Sequence, residues 1–196
     1  MDAVAATDIL SRYQVPRHRL TRRDYHRMAE AGILAEDDRV ELLDGQSVDM
    51  SPIGPRHALA IDVLARDLFT AAAGRAWVRV RNPIVLDSGS EPQPGIALVR
   101  HPWQGYPDAH PRPADVFLLI EVADSSLVVD RGAKLDLYAR AGIREFWIVD
   151  LTTDGVLVHR NPIDGRYDAI TTVDISGVLQ VEALPGVTIP VASIFN

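Results

Sequence analysis

The chain has no cysteine and a single lysine among its 196 residues. Without cysteine there is no disulfide framework, no thiolate metal site and no thiol nucleophile. Long apolar runs are also missing: none approaches the roughly 20 residues that a membrane-spanning helix needs. Residues 1–10 mix acidic and apolar positions, unlike the charged-then-apolar order of a secretory leader, so a cytoplasmic protein is expected. Positive charge is the scarcer sign, with 20 Lys and Arg against 27 Asp and Glu and a formal net charge of −7. That balance argues against a protein that coats nucleic acid non-specifically, but not against one that grips a few phosphates locally. There is no Gly-rich phosphate loop and no Gly-x-Ser-x-Gly elbow, and His101, His110 and His159 lack metal-ligand spacing.

With 47% hydrophobic and 24% charged residues, the chain has the composition of a folded protein, and its length suits one domain. Residues 1–19 read as an N-terminal arm and 20–196 as a single domain. A helix is expected after Thr21, where Asp24 stands three positions on. A hairpin follows over 39–50 around Asp44-Gly45, then a helix from about His57 to Ala73 that stops at Gly74. Trp77–Arg81 alternates as a half-buried strand, with Ile84–Leu86 continuing it past Pro83, and Ile96–Val99 is another strand. Val116–Val122 is apolar almost throughout, as a central strand should be. Leu127–Ala141 reads as a helix closed by Gly142, and Glu145–Val149 as a second buried strand parallel to the first. Short runs at 156–158, 167–173, 179–181 and 187–189 read as hairpin or edge strands. The order predicts an α/β (α+β) fold, with a mixed sheet flanked by helices.

Two residues stand out. Glu121 lies inside the most apolar strand, where a carboxylate costs several kcal/mol unless it is paired, hydrogen-bonded or bound to metal; alternatively it sits at the strand's exposed end and caps a loop. Lys134 follows thirteen residues later on the next helix, where its side chain can approach the strand's C-terminal end or face solvent. Of the 20 basic residues it is the one lysine, leaving 19 arginines, and a compact ammonium differs chemically from a guanidinium fork. His57 either caps a helix or contacts a phosphate. The basic stretch from Arg17 to Arg27, with Arg22 and Arg23, is either a solvated face or a nucleic-acid contact. Arg79 and Arg81, on one face of their strand, carry the same two readings.

Several segments together resemble the Uma-type restriction endonuclease family, within the PD-(D/E)XK nuclease superfamily. They are Val40-Glu-Leu-Leu-Asp-Gly45, Met50-Ser-Pro52 with Pro55-Arg-His57, Ser90-Glu-Pro-Gln-Pro-Gly-Ile-Ala-Leu-Val-Arg100, Ile120-Glu-Val-Ala-Asp-Ser-Ser126, Asp130-Arg-Gly-Ala-Lys134, Tyr138-Ala-Arg-Ala-Gly-Ile143 and Glu145-Phe-Trp-Ile-Val-Asp150. Each piece is weak; the ordered set from about Leu20 to Arg160 is specific. The resemblance implies a restriction-endonuclease-like fold and Mg²⁺- or Mn²⁺-dependent hydrolysis of DNA phosphodiester bonds, with a homodimer expected by analogy. It implies catalytic roles for Glu121, Lys134 and Glu41, and metal ligation by Glu121 and the backbone of Ala123. Arg56, His57, Arg22 and Arg23 become candidate nucleic-acid contacts. The departure is Gly95, where the family pattern has a metal-binding Asp, so weak metal binding and reduced or absent turnover are expected. Glu91 and Asp124 are conceivable substitutes, but Glu91 already has its own place in the family pattern beside that Asp, which argues against it as a replacement. The alternatives are a non-catalytic nucleic-acid-binding relative or a protein-interaction domain.

Overall fold

The computed structural model describes residues 15–35, 37–101, 106–124 and 130–195; the arm before residue 15 and the helix start expected at Leu127 lie outside them. Thr21 and Asp24 form a reciprocal capping box that starts α1 (Arg22–Glu30). The hairpin β1 (Val40–Leu43) and β2 (Gln46–Asp49) turns at Asp44-Gly45, both at positive φ. Helix α2 (Pro55–Ala72) has proline in its first turn and ends on left-handed Ala73.

A six-stranded sheet forms the body: β3 (Ala76–Val80), β4 (Ile96–Arg100), β5 (Val116–Ala123), β6 (Glu145–Asp150), β7 (Gly155–Ile163) and β8 (Arg166–Val173), paired in that order. Only β5 and β6 run parallel within it. The chain between them includes a wide π-type turn (Asp130–Lys134) and α3 (Leu135–Arg140). On one face, α2 packs with the small pair β9 (Val178–Gln180) and β10 (Thr188–Pro190) and with α4 (Val191–Phe195), around Leu64, Leu98, Ile120 and Trp147. On the other, Tyr138 and Ile143 cover Leu119, Ala123 and Phe146.

The mixed sheet flanked by helices agrees with the sequence reading, with three local differences. Ile84–Leu86 is buried or half-buried but is not a strand. Arg81 turns into the left-handed region at φ 52° and Pro83 follows, so the ladder stops at Val80. The 156–158 strand is much longer, running to Ile163 and turning at Asp164-Gly165. The helix expected over 127–141 is regular only from Leu135 within the described residues.

Candidate active site

Three separate elements bring Glu41, Glu121 and Lys134 together. Glu121 is on β5 between Leu119 and Ala123, and strand alternation turns it toward α3 with them. Lys134 ends the π-type turn and Tyr138 follows four residues later, so both reach one spot. Lys134 Nζ lies 2.9 Å from Glu121 Oε1, and the Tyr138 hydroxyl donates to the same oxygen at 3.0 Å. Glu121 Oε2 accepts the Gly95 N–H at 3.1 Å. Glu41 arrives from the β1–β2 hairpin, which is tied to the 89–93 segment through Glu91 N to Leu42 O, Gly45 N to Gly89 O and Asp44 N to Ser90 Oγ. Its Oε1 is 3.0 Å from Lys134 Nζ, and its Oε2 accepts the Gln93 N–H at 2.9 Å. One ammonium therefore bridges two carboxylates, all of them buried.

Burial raises the Glu41 pKa; Lys134 opposes that shift and the Glu121 charge reinforces it. Because the folded pKa lies above the unfolded one, Glu41 favours the fold most below its unfolded value. That contribution is lost as pH rises through the folded pKa. Glu41→Gln should therefore be more stable than the parent at pH 8, and the advantage should vanish below about pH 4. Urea midpoints at the two pH values measure this; a deficit at pH 8 would contradict the assignment.

The three residues sit in the wall of a cavity of about 100 Å³, also lined by Arg39, His57, Arg81, Gly95 and Asp124. Strand register places Gly95 beside Glu121, one step beyond the Ile96–Ile120 pair, and Arg81 N donates to Gly95 O at 3.1 Å. Gly95 does not use the left-handed region, but a Cβ there would lie 2.8 Å from Ile61 Cδ1 and 3.1 Å from Ile120 O. Ile61 thus occupies room that a side chain at 95 would need. The His57 pKa is lowered, first by burial and then by Arg81.

Other candidates are held elsewhere. The Ala123 carbonyl accepts the Leu151 N–H at 3.0 Å in the sheet. Arg22 Nε and His26 Nε2 bind the buried Glu91, at 2.6 and 3.1 Å, which fastens α1 to the body and removes Glu91 from the cavity. Arg56 pairs with Asp154 and donates to Leu151 O. Arg23 is exposed on α1. Tyr138 and Gln93 join the site without having been singled out for it by sequence, whereas Arg81, one of the two strand arginines with a nucleic-acid reading, lines the cavity. For Tyr138 the available signal was its spacing of four from Lys134.

The family described as "Uma2: Putative restriction endonuclease" matches residues 22–192. The chain belongs to the Uma2 family. No protein of curated function matches it in sequence. Among solved structures, it is similar to a "putative nuclease belonging to DUF820 from Anabaena variabilis ATCC 29413", with a TM-score of 0.67 and 11% identity over 90% of this chain and 97% of that one. At such identity the likeness concerns the fold, a nuclease-like mixed sheet. No described helix is long and apolar enough to cross a membrane.

The donor set of this Uma2 member fits one divalent ion held through two carboxylates. A carboxylate oxygen has two acceptor positions, and among the described residues Glu121 Oε2 and each Glu41 oxygen have one hydrogen-bond or ion-pair partner apiece. Two carboxylates suffice for Mg²⁺ where waters and substrate phosphates complete its shell. Among the described residues no cluster of three or more His, Cys, Asp or Glu could hold a metal. The set is therefore sparse.

Proposed function

We propose that the protein is a divalent-metal-dependent endonuclease acting on DNA, with turnover lowered by the glycine at 95. The observation that carries this reading is the convergence of Glu41 and Glu121 on Lys134 at 3.0 and 2.9 Å, in a cavity wall. Family membership supports the nuclease class. Glu41 and Glu121 would hold Mg²⁺ or Mn²⁺, which when bound polarises a phosphoryl oxygen and lowers the pKa of water. Lys134 supplies positive charge beside the reacting phosphate and orients the attacking water. Tyr138 and the Gly95 N–H fix the two oxygens of Glu121, the kind of support that usually changes activity or metal affinity about 10–100-fold.

Nicking of supercoiled plasmid tests this, because one centre suffices for a nick whereas two-strand cleavage calls for a homodimer. Mg²⁺- or Mn²⁺-dependent nicking is expected, lost in Glu121→Gln and reduced about 10–100-fold in Tyr138→Phe. No nicking by the parent with either ion would sink the reading. One observation favours a second reading, a nucleic-acid-binding relative without turnover: Ile61 crowds the position where a third acid would stand. Salt-sensitive DNA binding without nicking would select it.

A further inference from the structure

Several arginines of the body are held by acceptors. Arg19 pairs with Asp44, Arg22 with Glu91, Arg56 with Asp154, Arg66 with Asp67 and Arg160 with Glu145, and Arg75 donates to backbone carbonyls. Arg39 and Arg81 have no hydrogen bond or ion pair among the described residues, as is also true of Arg23 and Arg166, but these two line the cavity of Glu121 and Lys134. Arg81 is also held in a conformation that arginine adopts rarely, at φ 52°. Its N–H is bonded to Gly95, whose own N–H is bonded to Glu121. Such strained positions cluster at functional sites when neighbouring structure enforces them. The same walls carry Asp49 and Asp124 besides the two glutamates, so an anionic strand would be repelled without a local cation. His57 is poorly placed to supply one, since its protonation is opposed by burial and by Arg81. The single charge of Lys134 is outweighed by the two glutamates it bridges, so it does not offset the acidic walls by itself.

We infer that Arg81 and Arg39 form a clamp for a phosphodiester of the DNA strand at the mouth of this cavity, with Arg81 setting the position of the phosphate relative to Glu121. This inference rests on the nuclease reading for its substrate class. The guanidinium fork suits two oxygens of one phosphate, which a lysine would meet only as a point charge.

The test is fluorescence anisotropy of a labelled DNA duplex without divalent ion, over a series of salt concentrations, so that binding is read apart from cleavage. Arg81→Asn removes the cation yet retains a residue that tolerates the left-handed region, so its melting temperature should not fall below the parent's. It should bind about tenfold more weakly and lower the log–log salt slope by about one. Arg39→Gln should do likewise, and Arg81→Lys should recover the slope but only part of the affinity. Inorganic phosphate should compete no better than chloride of equal ionic strength. Parent-like binding and slope in both Arg81→Asn and Arg39→Gln would overturn the clamp. So would the absence of duplex binding by the parent, or displacement by phosphate well below that ionic strength, which would mark a small-anion site. Arg81-dependent binding without nicking would remove the nuclease reading and leave the clamp; nicking with Arg81-independent binding would do the reverse.

Discussion

Lys134→Ala should lower the melting temperature by about 6–20 °C, and that loss should shrink when Mg²⁺ or Mn²⁺ is added. Lys134 is almost fully buried and its ammonium is the bridging cation between two buried carboxylates. Removing one partner of a buried ion pair leaves uncompensated charge and costs about 3–5 kcal/mol. For a chain of this size each kcal/mol moves the melting temperature by about 2–4 °C. The loss should be smaller at acid pH, where Glu41 takes up its proton more readily than an exposed glutamate does. A divalent ion that binds the folded state adds stability in proportion to the logarithm of its concentration. The lone lysine is an internal counter-ion that holds the two glutamates close. Thermal melts of the parent, Lys134→Ala and Lys134→Ala with Glu121→Gln, with and without each ion, measure this. A Lys134→Ala protein that melts with the parent would contradict the bridge; one that melts low but ignores both ions would contradict the metal assignment.

Much of this arrangement was legible before the fold. A carboxylate inside the Val116–Val122 apolar run demands a partner, and the strand–helix–strand order brings Lys134 back over it. The parallel pairing of β5 with β6 follows from the same unit. What escaped depends on contacts between distant residues or on backbone detail. Arg22 and Arg23 look alike in a basic stretch, yet Arg22 meets Glu91, 69 positions away. Tyr138 has the spacing of a core aromatic and is indeed buried, but its hydroxyl is aimed at Glu121. No pattern in the sequence places Arg81 in the left-handed region. The Ala123 carbonyl is a ligand candidate by position alone, and nothing in the sequence shows that one of its two acceptor positions takes the Leu151 N–H in the sheet.

Gly95→Asp should raise nicking only modestly by itself and at least tenfold when combined with Ile61→Val. The backbone at 95 does not forbid a side chain, since its φ lies outside the left-handed region. The obstacle is local packing: the new Cβ would sit 2.8 Å from Ile61 Cδ1, 3.1 Å from Ile120 O and 3.8 Å from Glu121 Oε2. Overfilling a packed site of this kind costs about 1–3 kcal/mol, and the side chain at 95 would be pushed off its preferred rotamer. Ile61→Val deletes the offending methyl for about 0.5–1.5 kcal/mol and lets the carboxylate settle beside Glu121. A third carboxylate next to two others also raises repulsion, so both variants should melt below the parent without metal and recover with Mg²⁺ or Mn²⁺ more than the parent does. The order of activities, with the double variant above Gly95→Asp and both above the parent, separates lack of a ligand from lack of room. If the double variant folds, shows metal-dependent stabilisation and still nicks no faster than the parent, the missing acid is not what limits this site. If it folds and gains no stability from either ion, Glu41 and Glu121 do not form a metal site even with a third carboxylate beside them.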